Sequence, residues 1–281
     1  MTDDVKKLCL SDRNVSTENA AFVMGIVNAT SDSFWEGSRG GIDRALSLID
    51  EGADILDIGG ESTRPGSEYV DADEEIKRIV PLIEHIRRFS DIPISVDTRK
   101  SEVMKAAFSA GADMLNDVSA LEDDEELAGF VASVKIPLIL MHKKGDPAIM
   151  QKGSIHYDDV TAEVSAYLTS RAEYAMQAGI SSKKIIIDPG IGFGKDLEAN
   201  IALIKNCGKL CDGRYPVLMA LSRKTCIGQI TGRSVEDRLF GTIAADVIAV
   251  LAGAFMIRVH DVAAAVDSMK ILKTLELGKK K

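Results

Sequence analysis

Cysteine is scarce in this chain, four in 281 residues, and aromatic side chains make up only 5%, with a single tryptophan. Cys9, Cys207, Cys211 and Cys226 are too few and too scattered for a disulfide scaffold, so reduced thiols are expected. Cys207 and Cys211 stand four apart on an expected helix, and Cys226 falls in an expected loop. No further Cys or His lies close in sequence to complete a metal site. Basic charge is also short: 34 Lys and Arg against 43 Asp and Glu give a net charge of -9. That balance argues against nucleic acid or an anionic membrane as the main partner. An anion can still bind where a few basic side chains converge. No apolar run reaches the roughly 18 residues of a membrane span, and no basic-then-apolar leader opens the chain. A cytoplasmic protein is therefore expected. Residues 1–20 are polar and lack periodicity, so they read as a loosely held extension before one domain at 21–281. The closing lysines, 279–281, read as a solvated end.

What is present is apolar: 46% of the residues are A, V, I, L, M, F, W, Y or C. That suffices for one large core, and an α/β barrel of roughly 250 residues fits as a single domain. Eight strand-like runs alternate with helical segments: 22–27, 54–58, 93–96, 113–115, 137–140, 184–187, 216–221 and 254–259. Helical faces at i, i+3, i+4, i+7 include Ile42, Ala45, Leu46 and Ile49. Ile76, Ile79, Val80 and Ile83 repeat the spacing, with Pro81 expected to kink that helix or to sit in its first turn. Val160, Val164, Tyr167 and Leu168 form another face, as do Leu197, Ile201 and Ile204. Val262, Val266 and Met269 mark the last helix, with Asp261 as its expected N-cap. Gly52, Gly111, Gly179 and Gly253 recur at gaps of about 60 to 75 residues, near twice a βα unit. Each suits the left-handed position that ends a helix. The fold expected is a single-domain TIM (β/α)8 barrel, with a doubly wound open sheet as the alternative.

Polar residues follow every run, and in a barrel they would share one mouth. They are Asn28 after the first run, Thr63 and Arg64 after the second, Asp97 after the third and Asn116 after the fourth. Met141 and His142 follow the fifth, Asp188 the sixth, Ser222, Arg223 and Lys224 the seventh, and Arg258 and His260 the eighth. Asp97, Asp188, Asn116 and Lys224 together offer acceptors and donors for a flat heterocycle with an aminopyrimidinone edge. Arg64, Arg258 and His260 suit phosphate. Asn28 and Asp32 offer oxygens to Mg²⁺. Any one Asp here has an ordinary alternative as a helix N-cap; the case rests on convergence. The stretch 188–195, D-P-G-I-G-F-G-K, matches neither the P-loop nor the G-x-G-x-x-G spacing, which excludes ATP and NAD readings. Its glycines would let backbone pass close to a flat ligand, with Phe193 as one wall.

Taken in order, these segments resemble the dihydropteroate synthase family of pterin-binding TIM barrels. The matching stretches are G-I-V-N-A-T-S-D-S-F at 25–34, D-I-G-G-E-S-T-R-P-G at 57–66, I-S-V-D-T at 94–98 and N-D-V-S-A at 116–120. M-H-K-K-G-D-P at 141–147, D-P-G-I-G-F-G-K at 188–195, L-S-R-K at 221–224 and R-V-H-D-V at 258–262 complete the series. The resemblance implies that a dihydropterin bearing a hydroxymethyl diphosphate loses diphosphate to the amine of 4-aminobenzoate, with Mg²⁺ as cofactor. Asp97, Asn116, Asp188 and Lys224 would then grip the pterin edge. Met141 and Phe193 would pack on its ring, with Arg258 across its face. Asn28, through Mg²⁺, would hold the diphosphate with Arg258 and His260. Thr63 and Arg64 would bind on the diphosphate and aminobenzoate side, with Ser222 and Phe34 near the aryl amine. Asp97, Lys224, Arg258 and His260 would carry the catalytic work. Ser31, Glu36, Lys143, Ala220 and Cys226 depart from the family pattern around the second substrate. A folate–corrinoid methyltransferase of the same family, or a non-catalytic pterin-binding protein, remain alternatives. The apolar run 243–251 leads to the expectation of a homodimer on the late helices.

Overall fold

The structure is a computed structural model that describes residues 5–29, 39–61, 69–145 and 156–275. All eight expected runs form strands: β3 (Phe22–Asn28), β4 (Ile55–Gly59), β5 (Ile94–Asp97), β6 (Met114–Asp117), β7 (Leu138–Met141), β8 (Ile185–Asp188), β9 (Leu218–Met219) and β10 (Met256–Val259). Neighbours pair in parallel in the order β8-β7-β6-β5-β4-β3-β10-β9. A parallel bridge between Ile187 and Val217 joins the two ends, so the barrel closes and the open-sheet alternative falls. Around it lie α1 (Arg39–Asp50), α2 (Ala72–Arg87), α3 (Ser101–Ser109), α4 (Glu125–Val134), α5 (Val160–Gln177), α6 (Leu197–Lys205), α7 (Thr225–Thr231), α8 (Leu239–Leu251) and α9 (Val262–Thr274). The seventh strand is shorter than its apolar run, because Pro216 has no N–H to pair and the chain turns away after Met219.

Two apolar clusters hold the layers together. The larger fills the space between sheet and helices. The smaller lies inside the barrel, where Met24, Ile55, Met114, Ile139, Ile186, Leu218 and Met256 form a floor. Residues 1–20 were expected to be loose, and the part described is not. β1 (Lys7–Cys9) and β2 (Asn14–Ser16) form an antiparallel hairpin, and Leu8 and Leu10 pack against the barrel floor. Two leucines in a polar stretch leave too little periodicity to read, yet they stopper the barrel.

Gly52, Gly111, Gly179 and Gly253 all take positive φ, as the helix-ending reading requires. The aspartates that follow the first two act alike. Asp54 accepts the Val23 amide at 2.8 Å, and Asp113 accepts the Ile94 amide at 2.9 Å. Each carboxylate thus ties the start of the preceding strand. Pro81 lies mid-way along α2 on its exposed side, not in the first turn. Asp261 precedes α9 without a capping bond; its carboxylate takes both Arg223 donors instead, at 3.0 and 2.8 Å. Cys226 is buried on α7 rather than in a loop. Cys207 and Cys211 are buried, free and on a kinked 3₁₀ stretch with left-handed residues, not an α-helix.

α8 is packed inside out. Thr242, Asp246 and Ala249 face the barrel, while Phe240, Ile248 and Leu251 are exposed. Neither Asp246 oxygen has a hydrogen-bond partner, and burial pushes its carboxyl well above the ordinary range. The folded state then holds a proton that the unfolded chain releases near pH 4, so this group costs stability as pH rises above that value. We expect Asp246→Ala to unfold later than wild type at pH 8, by about 1–3 kcal/mol, with the gain shrinking towards pH 4. Denaturant titrations at both pH values check this; equal stability at pH 8 would refute it.

Candidate active site

A strand alternates its side chains between two faces, so the residue two beyond each floor residue also points inward. On β4 that residue is Asp57, on β6 Asn116, on β7 Met141, on β8 Asp188 and on β10 Arg258; on β5 Asp97 lies two beyond Ser95, which is buried but polar. Asn28 stands on the same parity at the end of β3. The barrel therefore stacks a polar layer on its apolar floor. Above that layer opens a cavity of about 800 Å³ at the carboxyl ends of the strands. Asn28, Asp97, Asn116, Met141, Asp188, Phe193, Ser222, Lys224, Arg258 and His260 all line it. These ten are every expected site residue within the described stretches. Phe34, Thr63 and Arg64 lie outside the described residues, as do Ser31, Asp32 and Glu36.

Arg258 occupies the centre of the layer. Its Nε donates to Asp57 Oδ2 at 2.5 Å and its Nη2 to Asp97 Oδ2 at 2.8 Å. Asn116 Nδ2 donates to the same Asp57 oxygen at 3.1 Å. The other oxygens of Asp57 and Asp97 are buried without a partner. Burial raises the Asp97 carboxyl to about 7 against the pull of Arg258. Burial likewise lowers the Lys224 ammonium to about 8, opposed by Asp188. Lys224 Nζ sits 4.3 Å from the Phe193 ring centroid. Burial raises Asp188 too, although Gly190 N–H donates to it at 2.7 Å. A set of buried carboxylates with an unpaired oxygen, beside two cations, is poised to take N–H donors from a ligand.

The N-cap alternative for these aspartates does not hold. α2, α4, α5 and α6 are capped by Asp71, Asp124, Asp159 and Asp196, which lie outside the cavity. The glycine-rich stretch was expected to pass close to a flat ligand; the close approach at Gly190 is to the protein's own chain. A Cβ on Gly190, at φ +67°, would stand 1.9 Å from His142 O. His142 itself is held near pKa 3 by burial, with Lys195 beside it, so it is neutral and out of the proton chemistry. At the rim, Ser222 Oγ lies 2.9 Å from His260 Nδ1 and accepts the His260 backbone N–H at 3.1 Å. Arg44 and Arg238 were missed from the sequence, and Asp57, seen at the carboxyl end of the second run, was given no role there. Arg44 donates to His260 O from α1, and Arg238 donates to Arg223 O at 3.0 Å. The arginines carry no strand-end signal; Asp57 does, two residues after Ile55.

The family model for pterin-binding enzymes matches residues 24–260 of the chain. Dihydropteroate synthase from Haemophilus influenzae is 41% identical, over 89% of this chain and 92% of that protein. The solved structure of Xanthomonas albilineans dihydropteroate synthase with 4-aminobenzoic acid matches at TM-score 0.89 and 43% identity. It covers 97% of this chain and 98% of that one. The same enzyme with 7,8-dihydropteroate matches at TM-score 0.85 and 40% identity, over 96% and 98%. On sequence, fold and cavity alike, the chain belongs to the dihydropteroate synthase family of pterin-binding enzymes.

Proposed function

We propose that the cavity condenses a 6-hydroxymethyl-7,8-dihydropterin diphosphate with 4-aminobenzoate, giving dihydropteroate and diphosphate. The observation that carries this reading is the inward polar layer, which gathers Asp97, Asn116, Asp188, Lys224 and Arg258 around one space. Asp97 and Asp188 accept ring and amino N–H groups. Asn116 and Lys224 donate to the carbonyl and ring nitrogen. Met141 and Phe193 enclose the ring, and Arg258 supplies positive charge across it.

The C–O bond to diphosphate breaks with its electron pair leaving on oxygen. The aryl amine then forms the C–N bond and releases a proton. Fixed cations lower the barrier by meeting the charge that develops on the departing oxygen. Arg258 and the rim arginines serve that end, and His260 stands beside them as a hydrogen-bonding group. Asp97, ionised, favours the cationic pterin carbon left behind. The amine is nucleophilic without deprotonation, so holding it in place matters more than a general base. Ser222 stands at the rim for that substrate.

Mg²⁺ fits the donor set at the mouth. Among the described residues no three acidic, His or Cys side chains converge into a cage. A lone exposed amide oxygen on Asn28 suits an ion that keeps its waters and is carried in on phosphate oxygens. Bound there, the ion would neutralise diphosphate charge. No helix among the described residues is long and apolar enough to cross a membrane; the four free cysteines suit a reducing cytoplasm.

The inside-out packing of α8 supports a homodimer. Phe240, Ala244, Ile248 and Leu251 form one exposed stripe at helical spacing, with Ile271 and Leu275 also exposed towards the end of the adjoining α9. Such a stripe is where a second copy would pack.

Dihydropteroate formation should require all three of pterin diphosphate, 4-aminobenzoate and Mg²⁺. No dihydropteroate with all three present would favour a corrinoid methyltransferase or a non-catalytic binder. Pterin affinity should rise with pH through about 7 as Asp97 ionises. Asp97→Asn should remove that rise and weaken binding about 10- to 100-fold, read by calorimetry at pH 6 and 8. In sedimentation the chain should run as a dimer at micromolar concentration, and Phe240→Asp with Ile248→Asp should make it a monomer. A wild-type monomer would refute the interface.

A further inference from the structure

We propose that Lys195 is a positioning residue that locks both walls of the heterocycle slot with one ammonium; the proposal rests on the reading of the cavity as a pterin site. Lys195 does not line the cavity. Its Nζ lies 2.9 Å from Gly190 O, 2.9 Å from Phe193 O and 2.9 Å from His142 Nδ1, with His142 O at 3.3 Å. An ammonium has three N–H donors and no acceptor. Three acceptors at hydrogen-bonding distance use all three while the group is protonated, which burial limits to pH below about 7.

Those acceptors belong to two separate pieces of chain. His142 follows Met141 directly at the end of β7, and its amide donates to Asp188 O at 2.9 Å. Gly190 and Phe193 belong to the glycine-rich loop after β8. Met141 lines one side of the slot and Phe193 another. Lys195 adds a side-chain tie between them, beyond that backbone bond. The close approach of Gly190 to His142 O brings the two pieces into range, and three glycines at positive φ, Gly190, Gly192 and Gly194, leave the loop little intrinsic rigidity of its own. The ammonium binds two of its carbonyls, adding to the bonds from Gly190 N–H to Asp188, Gly192 N–H to Asn200 and Tyr157 O–H to Gly194 O that also shape the loop. The donor to His142 Nδ1 also fixes that imidazole as the neutral tautomer with its proton on Nε2.

The prediction is specific to one substrate. Removing the ammonium frees the loop carbonyls and lets Phe193 drift from Met141, so the slot must be ordered each time the ring binds. The aminobenzoate side, at Ser222 and the rim, keeps its own bonds.

The test uses the full chain with Lys195→Met, which keeps the stem and loses the donors. The Kd for the dihydropterin diphosphate, by calorimetry, should rise about tenfold. The KM for 4-aminobenzoate at saturating pterin should stay within about twofold. His142→Phe, which removes one of the three bonds, should raise the pterin Kd about threefold, and the double variant should fall short of the product of the two. A folded Lys195→Met with unchanged pterin Kd would overturn the proposal. So would a rise in aminobenzoate KM in step with the pterin Kd. Should Lys195→Met fail to fold, unchanged pterin affinity in His142→Phe overturns it alone. A wild-type chain that does not bind the pterin overturns the reading of the cavity rather than this one.

Discussion

The structure depends on one constraint: inside a closed barrel every second side chain of a strand shares the same enclosed axis. The first such layer is apolar and the next is not. Met24, Ile55, Met114, Ile139, Ile186, Leu218 and Met256 fill the axis, and Leu8 and Leu10 seal it from below. Two residues further on, the same parity delivers Asp57, Asn116, Asp188 and Arg258, with Asp97 two beyond Ser95 on β5, to a place they could not occupy alone. An ionised carboxylate taken out of water is destabilised by several kcal/mol unless it is paired. Arg258 meets two of them at once, and the shared oxygen of Asp57 also receives Asn116. Asp57, Asp97, Asn116 and Arg258 form a single network, while Asp188 accepts from the Gly190 N–H beside it.

The same need for a fixed backbone explains the ground around the mouth. The chain leaving β4 is pressed onto α2: a Cβ on Gly60 would come within 2.7 Å of Glu75 Cγ, and Arg78 Nη1 donates to Gly60 O at 2.9 Å. Glu61 then pairs with Arg99 at 2.9 Å and with Lys100, which also reaches Glu75 at 2.7 Å. Charges this enclosed contribute little net stability, because desolvation offsets attraction. What they contribute is placement: the strand end is tied to α2 and to the start of α3 before the chain passes on to residues 62–68.

Much of this was legible in the sequence, and the legible part is the part governed by short periods. Strand runs, helix faces and the four glycines at helix ends obey local rules, and the polar residues after the strands follow from parity once the barrel is assumed. What escaped depends on distant partners. Asp57 was seen at a strand end, but its worth comes from Arg258, 201 residues away. Arg44 and Arg238 come to the rim from the helical layer, where nothing marks one arginine from another. The hairpin of residues 7–16 has too few apolar residues to announce itself. Asp246 contradicts its helix outright, since an aspartate in an apolar run reads as the exposed position and the structure buries it. Asp261 looked like a cap and is an arginine clamp.

An acidic chain that binds a diphosphate must do so by local arrangement rather than by its overall field. Across the cavity lining, five cationic side chains, Arg44, Arg223, Lys224, Arg238 and Arg258, face four carboxylates, Glu61, Asp97, Asp188 and Asp261. The mouth is therefore close to neutral on a molecule of net charge -9. Long-range steering of an anion to such a mouth is weak, and salt within a Debye length of about 8 Å screens most of what remains. Selectivity has to arise after contact, from donors already fixed in place. Arg223 is clamped by Asp261, Arg258 by Asp57 and Asp97, and Arg44 by the His260 carbonyl. Pairing reduces the reach of each cation but removes the cost of ordering it when substrate arrives. The site gives up attraction at a distance and gains preorganisation, the property that lowers a barrier when charge moves onto a leaving group.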